Sequence, residues 1–205
     1  MTEVNKPLLK LGVTGGIGSG KTSVCRVFSV LGIPVFTADI EAKDIMDNDR
    51  EIIQNLNSIA GKDLYPEGRL DREELAKLIF NDQDLLHKVN SLVHPLIFGN
   101  FLQWVEKQNA PYVIMEAAIL FESGGSEYVD KVVTVVAPVE ERIERIVRGN
   151  KLTREQVLAR IRNQMDDDLK IKQSDFVINN SENDMIIPAI LDIHEDMINR
   201  VSLMK

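Results

Sequence analysis

The feature that most constrains this chain is a glycine-rich segment near its start. Residues 15–22 read Gly-Gly-Ile-Gly-Ser-Gly-Lys-Thr, which fits the pattern G-x-x-x-x-G-K-[ST]. An apolar run, 8–13, precedes the segment, and an amphipathic run, 23–31, follows it. Glycines between a strand and a helix let backbone N–H groups converge on an anion at the positive end of the helix. This placement predicts a phosphate-binding loop, and an ordinary glycine-rich turn is the alternative.

The residues of the loop have separate predicted roles. Lys21 supplies a positive charge to the β- and γ-phosphates of ATP and is a catalytic candidate, and Thr22 ligates Mg²⁺ through its hydroxyl. ATP and Mg²⁺ are therefore the expected cofactors. The other nucleotide-binding candidates in this part of the chain are Gly16, Ile17, Gly18, Ser19, Gly20 and Ser23.

Short apolar runs rich in β-branched residues recur along the chain and predict strands. They are 9–13, 34–36, 112–115, 132–136 and 176–178. Each run is too short for a helix, and helical patterns lie between them, so the order predicts an α/β fold with a doubly wound, five-stranded parallel sheet. Ligands are then expected at the carboxyl ends of the strands. A chain of 205 residues is long enough for one such core with insertions.

Two segments exceed what strand connections require. Residues from about 40 to about 109 carry several helical patterns and predict a substrate-binding helical insertion. Residues from about 138 to about 172 are rich in arginine and predict a helical pair, with Gly149 ending its first helix and a Thr153–Gln156 capping box starting its second. This pair is the expected lid, which leaves a core of about 1–39, 110–137 and 173–205.

The composition argues against several classes of binding partner. The net charge of −8 opposes general binding to nucleic acid or anionic membranes, and no apolar stretch approaches the length of a membrane span. The single cysteine cannot form an internal disulfide, and residues 1–10 lack a signal-peptide pattern. We expect a cytoplasmic monomer or weak homo-oligomer that acts on small molecules.

Two acidic residues are predicted at strand ends. Asp39 ends the second predicted strand, where it can accept a proton from a substrate hydroxyl or hold Mg²⁺ through water, although an Asp there also suits a helix N-cap. Glu116 ends the third predicted strand and is a candidate for contact with the metal or the substrate. Leu120 and Glu122, just downstream, are expected to pack against the insertion.

The basic candidates are less specific. His94 precedes a proline and an amphipathic helix, and a structural role is the alternative to a functional one. Arg142, Arg145 and Arg148 recur at three-residue spacing, which fits phosphate-facing side chains or a solvated face with ion pairs. We expect at least one of the three to contact phosphate, and Arg148 is the catalytic candidate.

The ordered set of motifs resembles the dephospho-coenzyme A kinases, which phosphorylate the 3′-hydroxyl of dephospho-CoA with ATP. Beside the phosphate loop, the likeness rests on Ala38-Asp39, Leu70-Asp71-Arg72, His94-Pro95-Leu96-Ile97, Leu120-Phe121-Glu122, Leu152-Thr153-Arg154-Glu155 and Asp175-Phe176-Val177-Ile178. It covers nearly the whole chain, and it implies a nucleotide-binding core, a CoA-binding helical domain and a lid.

The resemblance also implies roles for single residues. Asp39 is implied as the catalytic base, Arg72 and His94 as substrate contacts, and Asn180 as a residue near adenine. Glu116 stands where the family more often has Asp, which keeps the charge but lengthens the side chain. The partners implied are ATP and dephospho-CoA.

Two other functions compete with this interpretation. One is a P-loop kinase for a nucleoside monophosphate or a sugar, which substrate profiling distinguishes. The other is a nucleotide-dependent switch that binds a protein partner. The chain lacks the N-K-x-D-like signature of guanine recognition, and a switch would hydrolyse ATP without needing dephospho-CoA.

Overall fold

A parallel sheet organises the nucleotide-binding part of the molecule. The computed structural model describes residues 8–150 and 152–204. Its strands are β1 (Leu9–Thr14), β2 (Val35–Thr37), β3 (Tyr112–Glu116), β4 (Lys131–Val136) and β5 (Phe176–Asn179). They form one five-stranded sheet in the order β2-β3-β1-β4-β5, with every neighbouring pair parallel. The predicted fold class is confirmed, and each predicted strand lies where the apolar runs put it.

The helices fill the intervals between strands. They are α1 (Lys21–Val30), α2 (Ala38–Asn48), α3 (Arg50–Ala60), α4 (Arg72–Asn81), α5 (Gln83–Val105), α6 (Val139–Asn150), α7 (Arg154–Arg162), α8 (Asp167–Gln173) and α9 (Ile186–Leu203). Short 3₁₀ turns occur at Pro66–Gly68 and Gly125–Tyr128. Residues 1–7, 151 and 205 lie outside the described residues. Residues 1–7 and 205 belong to the predicted core, and residue 151 belongs to the predicted lid. Most of the segment 1–10, for which no signal-peptide pattern is predicted, is therefore outside them as well.

Of the two predictions about helix ends, one is confirmed and one is wrong. Thr153 accepts a hydrogen bond from the backbone N–H of Gln156, whose side chain accepts one from the Thr153 N–H, so the predicted capping box is confirmed. The predicted stop at Gly149 is wrong, because α6 continues through Gly149 to Asn150. The predicted helical pair is also incomplete, since a third helix, α8, follows α7.

The described residues divide into two compact units. The core unit contains residues 8–37, 105–150 and 152–204, and the helical unit contains residues 38–104. In the core unit, α1 and α9 pack against each other and against the sheet. All five residues of β3 are buried, as is typical of a strand covered on both faces. None of the described helices is long and apolar enough to cross a membrane.

The helical unit extends one sequence expectation. The helix predicted after the His94-Pro95 pair is present, but it begins earlier, since α5 starts at Gln83 and runs through Pro95 without interruption. Proline removes one backbone hydrogen bond from a helix interior. Buried residues at four-residue spacing (Val89, Val93, Ile97 and Phe101) hold the helix on both sides of it. Packing of this apolar face therefore outweighs the local cost of the proline.

The strand order determines where a ligand site can form. The connection that leaves β1 leads towards β2 on one side of the sheet, while the connection that leaves β3 leads towards β4 on the other side. Because β1 and β3 are neighbours, their carboxyl ends border the crevice at which doubly wound sheets bind ligands. The glycine-rich loop follows β1, and Glu116 ends β3, so both belong to this crevice.

Candidate active site

The glycine-rich loop connects β1 to α1 through a backbone that only glycine adopts easily. Gly15, Gly18 and Gly20 have φ angles of 144°, 78° and 97°. A Cβ atom at Gly15 would lie 2.1 Å from the carbonyl oxygen of Val135, so a side chain is also excluded by space. Gly20 precedes the first residue of α1, Lys21. The predicted strand, loop and helix are thus present in the order that builds a phosphate cradle.

Lys21 lies over the loop that it follows. Its Nζ donates hydrogen bonds to the carbonyl oxygens of Gly15 and Gly16, at 3.0 Å and 3.3 Å. The side chain is half-buried. A cation held by the loop's own carbonyl groups keeps positive charge beside the N–H groups of the loop, which suits a polyanionic ligand.

Thr22 and Glu116 meet beside the loop. The Thr22 hydroxyl donates a hydrogen bond of 2.9 Å to Oε1 of Glu116. Glu116 is only 8% exposed and pairs in register with Val13, the penultimate residue of β1. A hydroxyl and a carboxylate are both oxygen donors of the type that Mg²⁺ prefers, and Mg²⁺ takes few protein ligands when it binds together with phosphates. The donor set therefore fits a magnesium ion that accompanies ATP.

Asn180 contacts Ser19 of the loop, although the two residues are 161 positions apart in the sequence. It directly follows β5, and its Nδ2 donates to the carbonyl oxygen of Ser19 at 2.7 Å. A Cβ atom at Gly20 would lie 2.0 Å from the same nitrogen. Asn180 therefore packs against the phosphate loop, and its carbonyl oxygen accepts a 2.8 Å bond from Arg145.

Two buried polar atoms in this region have no hydrogen-bond partner among the described residues. They are Oγ of Ser19, within the loop, and NH1 of Arg145. An unpaired buried polar group costs about 1–3 kcal/mol. A ligand rich in oxygen acceptors would remove that cost, so these two groups fit a nucleotide site.

The three candidate arginines have different surroundings in the structure. Arg142 is 2% exposed, and its Nε donates to the carbonyl oxygen of Ile17 at 2.8 Å. Arg145 contacts Asn180, as described above. Arg148 is exposed and pairs with Glu144 one helical turn away. The solvated-face alternative therefore fits Arg148, whose catalytic role stays a prediction. Arg142 contacts the loop directly, whereas Arg145 pairs with Glu141 and contacts Asn180, which in turn bonds to the loop.

Asp39 belongs to the helical unit and lies in a helix, not at the end of a strand as predicted. It was expected to end the second strand, but β2 ends at Thr37 and α2 begins at Ala38. Asp39 is the exposed second residue of that helix. Since the helix begins before it, Asp39 does not occupy the N-cap position that the alternative assigned to it. A carboxylate in the first turn is favoured by the helix dipole.

Arg72 begins α4 and contacts the second half of α2. Its NH2 donates to Oδ2 of Asp47 at 2.7 Å and to the carbonyl oxygen of Lys43 at 3.4 Å. Asp47 is eight residues beyond Asp39 in the same helix, which corresponds to about 12 Å along the helix axis.

His94 is half-buried in the middle of α5, with its ring 6.2 Å from that of Phe98. Burial lowers the pKa of its imidazole below the usual value of 6.5. The neutral ring is thus the dominant form near pH 7, and it can donate and accept hydrogen bonds without carrying charge.

Comparison with known proteins identifies the family. The model of the dephospho-CoA kinase family (CoaE) matches residues 9–185, which include the phosphate loop, Glu116 and Asn180. The chain belongs to the dephospho-CoA kinase family. A dephospho-CoA kinase from Bacteroides fragilis is 39% identical over 186 residues, which cover 90% of this chain and 91% of the relative.

Solved structures agree with this membership. A crystal structure from Thermus thermophilus superposes with a TM-score of 0.81 at 31% identity, covering 95% of this chain and 98% of that one. The dephospho-CoA kinase from Campylobacter jejuni superposes with a TM-score of 0.67 at 27% identity, covering 93% of this chain and 98% of that one.

Several residues around the loop were not found by sequence reasoning. Gln164 accepts a 2.8 Å hydrogen bond from the backbone N–H of Ile17. Glu122 was expected to pack against the insertion, but it accepts from the Met165 N–H at 2.8 Å and pairs with the buried Lys170 at 3.0 Å. These contacts join residues more than 40 positions apart, and spacing along the chain carries no signal of them.

Proposed function

We propose that this family member transfers the γ-phosphoryl group of ATP to the 3′-hydroxyl of dephospho-CoA, giving CoA and ADP, the last step of CoA biosynthesis. The observation that carries the proposal is the Thr22–Glu116 contact beside the phosphate loop. It lies in a chain that the dephospho-CoA kinase family matches over residues 9–185.

The core unit is proposed to bind the nucleotide. Lys21 and the N–H groups of the loop would neutralise the phosphates, and Asn180 would lie near adenine, as the family resemblance implies. Thr22 and Glu116 would hold Mg²⁺ with the phosphate oxygens. When bound, this ion supplies charge neutralisation at the transferring phosphoryl group. Arg145, with one buried unpaired nitrogen, is a further phosphate candidate beside Arg148.

The helical unit is proposed to bind dephospho-CoA. Asp39 would accept the proton of the 3′-hydroxyl as that oxygen attacks the γ-phosphorus. His94 would act as a neutral hydrogen-bonding contact because burial lowers its pKa. Arg72 would contribute positive charge towards the phosphates of the substrate. Residues 138–172 would form the lid.

The cellular setting is part of the same proposal. ATP and dephospho-CoA are small anions, and a protein with a net charge of −8 requires local positive charge, such as that at the loop, to bind them. We propose that the enzyme acts in the cytoplasm as a monomer or weak homo-oligomer, without nucleic acid or membrane partners.

ATP turnover with and without dephospho-CoA tests the proposal. We expect strong dependence on the acceptor and a product that carries the new phosphate on the 3′-oxygen. Lys21→Ala should lower kcat/KM by about 100-fold or more, because a phosphate contact is worth a few kcal/mol in the transition state. Lys107→Ala removes an exposed lysine far from the loop in sequence and is the matched control.

Other outcomes identify the rival functions. Equal ATP hydrolysis with and without dephospho-CoA would favour the switch, and faster transfer to a nucleoside monophosphate or sugar would favour another kinase. Near-native turnover by folded Lys21→Ala would overturn the phosphate-loop assignment itself.

A further inference from the structure

Both backbone groups of Ile17 are bound from outside the phosphate loop. Its N–H donates to Oε1 of Gln164, and its carbonyl oxygen accepts from Nε of Arg142, each at 2.8 Å. The N–H belongs to the peptide that joins Gly16 to Ile17, and the carbonyl belongs to the peptide that joins Ile17 to Gly18. Two successive peptide planes of the loop are thus held by side chains from the segment after β4.

These planes would otherwise turn easily. Ile17 has glycine on both sides, and glycine is the residue with the greatest backbone freedom. In a trans peptide the N–H points opposite to the C=O. Because Arg142 binds the carbonyl of Ile17, the N–H of Gly18 in the same peptide points away from the Arg142 guanidinium. The orientation of this N–H decides whether it can contribute to an anion site.

The arginine in this arrangement has little freedom itself. Arg142 is 2% exposed, and its NH1 pairs with Asp167 at 2.6 Å. A Cβ atom at Gly16 would lie 2.0 Å from its NH2, and one at Gly18 would lie 2.6 Å from its backbone oxygen. These two glycines therefore allow α6 to approach the loop closely.

The segment that carries Gln164 is also anchored. Glu122 Oε1 accepts from the N–H of Met165, the next residue, and pairs with Lys170 of α8. Lys170 is fully buried and donates to the carbonyl oxygen of Ala118 at 2.9 Å. The ion pair ends on a fully buried lysine and is joined by further hydrogen bonds, so Gln164 is presented to Ile17 from an anchored segment.

We propose that Gln164 is a positioning residue for ATP: together with Arg142 it fixes the two peptides on either side of Ile17, and so orients the phosphate loop before the nucleotide binds. It acts through the loop backbone and does not itself touch the reacting atoms. The effect on ATP kinetics rests on the proposed function, whereas the effect on the loop backbone does not.

Gln164→Met tests the proposal, since methionine has nearly the same shape but lacks the amide oxygen. Loss of one hydrogen bond corresponds to a change of about three- to tenfold, so the KM for ATP should rise by about that factor while the KM for dephospho-CoA stays within about twofold. Hydrogen exchange at the Ile17 amide should accelerate by a similar factor in the protein without nucleotide. The melting temperature should change little, because Gln164 is only half-buried.

Two further variants complete the test. Gln103→Met replaces an exposed glutamine of α5 and should change neither the KM for ATP nor the exchange of the loop. Gln164→Asn keeps an amide but is one methylene too short to hold the bond, so it should match Gln164→Met, and it provides the measurement if the methionine variant folds poorly.

Wild-type exchange at Ile17 in both Gln164 variants would overturn the proposal, as would an unchanged KM for ATP. A fall in melting temperature with both KM values unchanged would assign Gln164 a purely structural role, which also overturns it. If the wild-type enzyme showed no turnover dependent on dephospho-CoA, the proposed function would fail, but the exchange measurement would still decide whether Gln164 fixes the loop.

Discussion

Asp39 places a negative charge in the first turn of α2, and the same carboxylate is the proposed acceptor of the substrate proton. Asp39→Asn keeps the size of the side chain and removes both charge and basicity. Because the residue is exposed, the stability cost should be limited to the lost interaction with the helix dipole, about 0.3–1 kcal/mol. We expect kcat to fall by about 100-fold or more with ATP binding retained, as measured by steady-state kinetics and calorimetry.

Glu41→Gln is the matched control for Asp39→Asn. Glu41 lies in the same helical turn, and its Oε1 accepts a 2.6 Å hydrogen bond from Asn100, which glutamine can preserve. This variant loses the same charge at the same end of α2, so its kcat should stay within about twofold of the wild type. A lower melting temperature in Asp39→Asn with kcat per folded molecule preserved would show that Asp39 acts only on the helix, and Glu116 would become the next candidate base.

His94 should couple the stability of the protein to pH. Its pKa is lowered from 6.5 in the folded state by burial. Between the two values the unfolded chain binds more protons than the folded chain, so the free energy of unfolding falls as the pH is lowered through 6.5 towards the folded pKa. The loss is complete below the folded value. His94→Gln removes this contribution.

The measurement is the melting temperature at about pH 7.5 and about pH 5.5. The wild type should lose more stability across this interval than His94→Gln. His87→Gln, at an exposed position of α5, is the control and should behave like the wild type. Identical pH dependence in the wild type and His94→Gln would show that the imidazole is as well solvated in the folded protein as in the unfolded chain.

Single residues show where sequence reasoning ends. The phosphate loop was predictable because its function requires a local sequence with fixed spacing. The Thr22–Glu116 contact was not, because it depends on the register that places Val13 opposite Glu116. Asp39 was assigned to a strand because nothing in its neighbourhood indicates that the edge strand β2 stops after three residues.

At the scale of elements, the segment 138–172 has buried residues near both ends, whereas α7 in its middle is more exposed. Arg142 and Lys170, near its two ends, are almost completely buried and donate hydrogen bonds to the carbonyl oxygens of Ile17 and Ala118. Between them, α7 is held at its start by the exposed ion pair of Arg154 with Glu140, a type of pair that contributes little stability. Lid motion is therefore expected in α7 and not in α8.

Hydrogen exchange with and without an ATP analogue tests this expectation. Amides of α7 should exchange faster in the protein without nucleotide and slow down when the analogue binds, because lids are drawn from the less stable parts of a structure. Amides of α8 should be protected in both states and serve as the internal control. Equal protection of α7 in both states would remove the lid role from residues 138–172.

The elements differ in how far the sequence predicts them. Strands buried on both faces appear as short apolar runs, and the capping box at Thr153 is a local signal with a known geometry. Gly149 does not end α6, because the low helix propensity of glycine is a weak signal. The helix continues through it to Asn150. The passage of α5 through Pro95 depends on an apolar face whose packing partners lie elsewhere in the chain.

At the scale of the whole molecule, the centre of the sheet is packed closely enough that a single methyl group should matter. Gly12 lies in β1, the middle strand, and a Cβ atom there would be 2.6 Å from Cδ2 of Leu120 and 3.1 Å from Cγ2 of Val129. Leu120 is fully buried, so it has little space into which to move. The side chain of Leu120 therefore packs against β1.

Gly12→Ala should therefore destabilise the protein by about 1–3 kcal/mol through overpacking, as measured by chemical denaturation. Gly149→Ala is the contrasting variant, because Gly149 is the penultimate residue of α6 and a Cβ atom there would meet nothing within 4 Å. Replacing this glycine by alanine should raise the free energy of unfolding by at most about 0.5 kcal/mol, the lower end of the effect in a helix interior. Equal stability of Gly12→Ala and the wild type would show that Leu120 can move away from β1. The loop that carries Leu120 and Glu122 would then be less rigidly attached to the sheet than the ion pair between Glu122 and Lys170 indicates.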